Sequence, residues 1–183
     1  MKQQKATITA DRIRLRPMTE ADLPLKVKWY NDPDIRKTLI VDEQFELDRT
    51  LEWYRAVKDS KKRLDLVIET ETGKSIGQIG LVNIDRTHKT AEKVIVIGDK
   101  VYWGKGVMLE AESLLIDYAF SKMHLGKIWA QARTNNIASM ITMKKLGFQI
   151  KETLPAHTVI SGRPVDVFHV VLDREDFKLL ATG

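Results

Sequence analysis

The chain has 183 residues, 43% of them hydrophobic, a net charge of +5 and no cysteine. That length suits one domain with a sizeable core, so residues 1–183 are read as a single unit, and the missing cysteine excludes disulfides, thiolate metal sites and cysteine nucleophiles. No apolar run approaches the roughly 18–20 residues that cross a membrane, and the N-terminal MKQQKATITADR has no hydrophobic signal core, so a cytoplasmic protein without membrane contact is expected.

RIRLRPM, at 12–18, alternates Ile13 and Leu15 with arginines and closes on Pro17, a half-exposed strand. Thr19 is a helix cap, with Asp22 in an acidic first turn. The helix carries Leu23, Val27 and Tyr30 on one side and stops near Asn31-Asp32-Pro33. A second helix runs from Leu47 to Asp59, with Leu51, Tyr54, Ala56 and Val57 inward. KDSKKR, the densest basic cluster, reads as its solvated end. Leu64–Thr70, Ser75–Ile84 and Ala91–Gly98 are strands joined by turns, hence antiparallel hairpins. A long helix follows, with Val107, Ala111, Leu114, Leu115 and Tyr118 on one face. Lys127–Ala132 is a strand, and Asn136–Leu146 a helix stopped by Gly147. The last strands, Phe148–Thr158 and Val165–Asp173, meet at Ser161-Gly162-Arg163-Pro164.

The order β α α β β β α β α β β predicts a mixed α/β (α+β) fold. It has one mostly antiparallel sheet of about seven strands with helices on both faces. The strand after the long helix returns by a right-handed crossover and lies parallel to the strand before it. A sheet that changes from antiparallel to parallel there splays open beside the helix N-terminus. Gly104-Lys105-Gly106 opens that helix, where free N–H groups and the dipole favour an anion. Glycines let the backbone approach a ligand closely, and Lys105 adds charge. The loop has neither the Walker spacing nor the dinucleotide fingerprint, because Leu109 stands where the third glycine would be. A tight strand-to-helix turn without a ligand is the plainer reading of the same residues.

IGDKVYWGKGVMLEA, followed by NNIASMITMKKLGF and preceded by YNDPDIRKTL, resembles the GNAT superfamily of acyl-CoA N-acyltransferases, over about residues 11–177. Within it the chain is similar to the ribosomal-protein N-acetyltransferase-like (Rim-type) branch. The resemblance implies that Trp103, Gly104, Lys105, Gly106, Val107 and Met108 hold the pyrophosphate of acetyl-CoA. Trp103 replaces the family's Gln or Arg, and Met108 stands where a small residue is usual. It further implies that the backbone of Val96, Ile97 and Gly98 pairs with the pantetheine amides, with an N–H there facing the thioester oxygen. A fixed donor at that place stabilises the oxyanion of acyl transfer. Asn136 matches an asparagine that contacts the cofactor arm; as plain physics it is equally a helix N-cap.

Attack of an amine on a thioester needs a neutral amine, a held thioester and a proton for the leaving thiolate. The family's usual proton-donating tyrosine lies five residues before Phe148, where this chain has Met143. In the Rim-type branch the serine of Asn-x-x-Ser is the donor, which here is Ser139; otherwise that serine only decorates the first helical turn. His157 is a candidate base, as are Glu92, Asp85 and His88. No metal is expected.

The expected activity is acetyl-CoA-dependent acetylation of a primary amine. A protein N-terminus, a polyamine and an amino-sugar acceptor stay open, with the protein N-terminus slightly favoured. Trp29, Tyr30, Phe45, Trp53 and the last hairpin form the expected acceptor pocket, and Asp42, Glu43 and Glu46 an acidic segment suited to a polyamine. The partner is thus a small-molecule or peptide amine rather than nucleic acid, and a homodimer is compatible. The alternative is a CoA-binding sensor or a basic nucleic-acid- or ribosome-binding module without turnover.

Overall fold

The computed structural model describes residues 7–10 and 12–179. Its strands are β1 (Ile8–Thr9), β2 (Ile13–Pro17), β3 (Leu64–Thr70), β4 (Ser75–Asp85), β5 (Thr90–Ile97), β6 (Lys127–Arg133), β7 (Gln149–Ile160) and β8 (Arg163–Asp173). The helices are α1 (Leu23–Asn31), the one-turn α2 (Pro33–Arg36), α3 (Leu47–Val57), α4 (Val107–Ser121) and α5 (Ile137–Leu146). The sheet order is β1-β2-β3-β4-β5-β6-β8-β7, antiparallel throughout except for the central β5–β6 pair. This is the mixed sheet expected from the element order. Two short elements, β1 and α2, escaped the sequence reading because a two-residue strand and a single turn carry no periodicity.

Strand alternation sorts the sheet into two faces. One face carries Ile13, Leu15, Leu66, Ile68, Ile79, Leu81, Ile97 and Ile128, and packs under α4 and α5 as the main core. The other carries Val67, which meets Leu23 and Tyr54, and Val96, which meets Trp29 and Ile35. α1 and α2 therefore roof the face opposite α4. Trp29 lies so close that a Cβ on Gly98 would fall 2.0 Å from its ring.

Helix phases differ from the apolar pattern at two places. The face that α1 buries is Leu23–Lys26–Trp29, not Leu23–Val27–Tyr30. The buried stripe of α4 contains Val107, Ala111, Leu115 and Ala119 together with Glu112, while Leu114 and Tyr118 are half-buried. In both helices a charged residue occupies an inward position because a partner on another element receives it. The β7–β8 hairpin turns on Ser161 and Gly162, both at positive φ (51° and 74°), as a two-residue turn requires. No helix among the described residues is long and apolar enough to cross a membrane.

Candidate active site

β5 and β6 pair at only three positions, Thr90–Glu92 with Lys127–Trp129. Beyond them β6 is held by β8 and β5 by β4, so the two strands diverge. A cavity of about 690 Å³ fills the gap, walled by Val94–Ile97, Gln131, Ala132, the start of α4 and the inward side of α5. Residues 38–41 close it on the α2 side. They are fixed in place: the Arg133 guanidinium donates to the Leu39 and Arg36 carbonyls, and Asp42 accepts from the backbone N–H of Ser161 at 2.9 Å.

Strand register decides which backbone groups face the gap. The Gly98 N–H donates to Ile76 O at 2.9 Å, and Val96 lies opposite Gln78. Because bonded and non-bonded pairs alternate in an antiparallel ladder, Val96 and Gly98 turn toward β4, while Ile95 and Ile97 turn toward β6. The Ile97 carbonyl is taken by the Trp103 indole N–H at 2.9 Å. The Ile97 N–H and both polar groups of Ile95 remain for a ligand in the gap. The expected Val96–Gly98 strip thus shifts toward Ile95 and Ile97. Gly98 is not part of the wall, and its N–H is already spent.

The loop before α4 has the geometry of an anion cradle. Gly104 and Gly106 have φ of 72° and 78°, a left-handed backbone that side chains disfavour. Gly106 occupies the N-cap, and no side chain caps the helix. The N–H groups of Val107, Met108 and Leu109, which precede the first intrahelical bond from Glu110 to Gly106, therefore lack a partner within the helix. Trp103, Gly104, Gly106, Val107 and Met108 all line the cavity, whereas Lys105 does not. The loop gains a cation that the sequence reading missed: Arg12 of the β2 segment donates to the Lys105 carbonyl at 3.3 Å and pairs with Glu110 at 2.6 Å. The alternating arginines of 12–16 signalled an exposed strand face, not a neighbour 93 residues away in the chain.

At the other wall, Asn136 caps α5, its side-chain oxygen accepting from the Ser139 N–H at 3.2 Å. Asn136, Ser139 and Thr142 line the cavity, and Ser139 is buried. Met143 points into the main core. Among the named bases, Glu92 alone borders the cavity. Burial raises its pKa above the usual carboxylate range, against a hydrogen bond from Asn83 at 2.7 Å that lowers it. Asp85 and His88 bond each other on an exposed turn. His157 is exposed on β7 and lies outside the cavity wall, so the expected catalytic histidine is displaced: β7 is the edge strand of the sheet, with β8 between it and the β6 side of the cavity. Within the acidic segment Asp42 is held by Ser161 and Arg36, and Glu46 pairs with Arg49 on the surface, while the Glu43 carboxylate is exposed and takes no ion pair among the described residues. Beneath the cavity the Lys93 ammonium meets the Glu112 carboxylate, both fully enclosed, with the second Glu112 oxygen unpartnered.

A splayed parallel pair beside a glycine-opened, uncapped helix defines an acyl-CoA acyltransferase architecture. Residues 12–149 match the acetyltransferase (GNAT) domain family, and the chain belongs to it. It is an N-acetyltransferase, with acetyl-CoA as the co-substrate. The chain is 26% identical over 176 residues to the uncharacterised N-acetyltransferase p20 of Bacillus licheniformis, covering 93% of this chain and 98% of that one. It is 27% identical over 157 residues to the spermidine N(1)-acetyltransferase of Escherichia coli, covering 85% and 82%. The spermidine N-acetyltransferase of Vibrio cholerae, solved with CoA and spermine, shares the fold with a TM-score of 0.85 at 23% identity, covering 90% and 96%.

Proposed function

We propose that the protein acetylates a small primary alkylamine of the polyamine class, using Glu92 as base and Ser139 as acid. The observation that carries this reading is the single carboxylate that borders the cavity among the described residues: Glu92 sits where β5 and β6 part, with its pKa raised by burial. An alkylammonium with a pKa of about 10 must lose a proton before it attacks, and a carboxylate with raised pKa is the better acceptor for it. The spermidine acetyltransferases among its relatives support a polyamine over a protein N-terminus.

In this reading the pyrophosphate rests on the N–H groups of Val107–Leu109, in the space that Gly104 and Gly106 leave. The pantetheine arm lies along Ile95 and Ile97, with Asn136 across the gap. Acetyl-CoA supplies the activated acyl group. Glu92 takes the amine proton, directly or through a water, and the Ser139 hydroxyl passes its proton to the departing thiolate while taking one from solvent, so that it ends the step neutral. The test is a panel of amines read by release of free CoA, together with melting in the presence of acetyl-CoA. At a 100-fold excess over Kd, binding should stabilise the protein by about 2.7 kcal/mol. No melting shift at millimolar acetyl-CoA would remove the reading.

Two variants separate the chemical roles. Ser139→Ala should lower kcat about 10–100-fold and leave the acetyl-CoA Kd within a few-fold, because a thiolate needs little help from an acid. Unchanged turnover with a lowered melting temperature would make Ser139 structural. Glu92→Gln should cost about 10²–10⁴-fold in kcat. The sign with pH is fixed: the base form exists above the Glu92 pKa, so wild-type kcat falls as pH drops through a value above the usual carboxylate range. That limb should vanish in Glu92→Gln; its persistence would assign the proton to another group.

A further inference from the structure

Lys26 is a lysine on the inner face of α1, only 8% exposed. Its ammonium lies 4.1 Å from the Tyr30 ring centre, 4.9 Å from that of Trp53 and 5.7 Å from that of Phe45. It donates to the Gln78 side-chain oxygen at 3.4 Å. No carboxylate of a described residue comes within ion-pair distance of it, in contrast to Lys93, which burial obliges to pair with Glu112. The ammonium is therefore held by ring faces, the arrangement that binds alkylammonium ligands.

The cage is built rather than incidental. The Asn31 side chain grips Phe45 through both backbone groups, at 2.7 and 2.9 Å, and Phe45 packs on Tyr30 with ring centres 4.6 Å apart. The guanidinium of Arg63, bonded through Nε and Nη2 to Asp65, stacks 5.0 Å from Trp53. Gln78 donates its amide to the Tyr30 hydroxyl, fixing that wall. The cage also adjoins the cavity. Tyr30 lines both, and Gln78 lies opposite Val96 of the cavity wall. On the same sheet face the next pair is Gly80 with Val94, so no side chain from Gly80 blocks the path toward Glu92. The Gln78 and Glu92 rows are four residues apart on β5, roughly 13 Å along the strand, a span that an extended diamine and the two side chains can bridge.

We infer that this cage is a second ammonium subsite of the acceptor path, and that Lys26 sets acceptor preference by occupying it with the chain's own ammonium. The inference rests on the proposed amine acetylation and names a determinant of its specificity. A diamine whose near end reaches Glu92 must expel the Lys26 ammonium to seat its far end among the rings. A monoamine has no such demand. Lys26 acts here as a resident competitor for the far ammonium only, so the proposed polyamine acceptor is taken at the cost of displacing it.

Two measurements decide it. The first compares hexamethylenediamine with hexylamine by free-CoA release in wild type, Lys26→Ala and Lys26→Ser. Vacating the cage should raise the diamine-to-monoamine ratio of kcat/KM about 30-fold, the size of a desolvated cation–π contact. An unchanged ratio overturns the inference. The second uses the native protein, so it stands if the variants fail to fold. Lysines are labelled with an amine-reactive ester and read by mass spectrometry, with exposed Lys105 as internal standard. Hexamethylenediamine should raise the Lys26-to-Lys105 labelling ratio several-fold and hexylamine should not; equal ratios with both amines overturn the displacement. Labelling needs no turnover. Failure of every amine to release CoA would therefore sink the proposed activity while this result still decides the cage.

Discussion

Lys93→Met should destabilise the protein by about 3–5 kcal/mol, and Glu112→Leu by a similar amount, whereas the double variant should lie close to wild type or above it. Both side chains are enclosed between β5 and α4, and each is the other's charged neighbour. Removing one leaves an uncompensated charge in a low-dielectric core, while removing both exchanges a desolvated pair for apolar packing. Melting temperatures would read this as shifts of roughly 6–20 °C for a chain of this size. The pH dependence has a definite sign. Burial already raises the Glu112 pKa despite Lys93, and without the lysine nothing opposes it. A carboxyl whose folded pKa is raised supports the fold at acid pH and loses that support as pH rises through the folded value. The Lys93→Met defect should therefore be smallest near pH 5 and grow toward pH 8. Equal losses in the single and double variants would show that packing, not charge, dominates at this place.

Gly106→Val should weaken acetyl-CoA at least about 100-fold, and Lys105→Ala no more than about fivefold. An ideal Cβ on Gly106 meets only Arg12, at 3.7 Å, so the apo fold has room for a side chain. The penalty comes from two other sources. The backbone stands at φ 78°, which a β-branched residue resists by about 1–2 kcal/mol, and the new methyl groups would occupy the space in front of the free helix N–H groups. Lys105 is exposed and outside the cavity wall, so its charge is screened. Isothermal titration with acetyl-CoA separates the two. A greater loss from the lysine change would make this a side-chain site.

What the sequence carries by itself are the features set by neighbours along the chain. The Asn136 cap, the Gly147 stop and the Gly104–Gly106 turn depend on backbone conformation within a few residues, and each is found where its residue type requires it. The hairpins and the long helix follow from periodicity, and from them the parallel pair and its splay. The family was legible for the same reason, because its motifs are contiguous.

Long-range placement decides the rest. That β8 lies between β6 and β7 depends on which strand edge is free after β6 forms. Lys26 and Glu112 face inward although an apolar pattern would turn them out, since Tyr30, Trp53 and Phe45 receive one and Lys93 the other. Arg12 reaches the glycine loop from 93 residues away, and Trp29 settles on Gly98 from far along the chain. Glu92 borders the cavity while His157 does not, since β5 lies at the parting of the sheet and β7 at its edge. Burial of a charge or a direction of approach is a property of partners distant in sequence. One-dimensional patterns record only the cost of such placements, whereas the folded chain supplies the compensation.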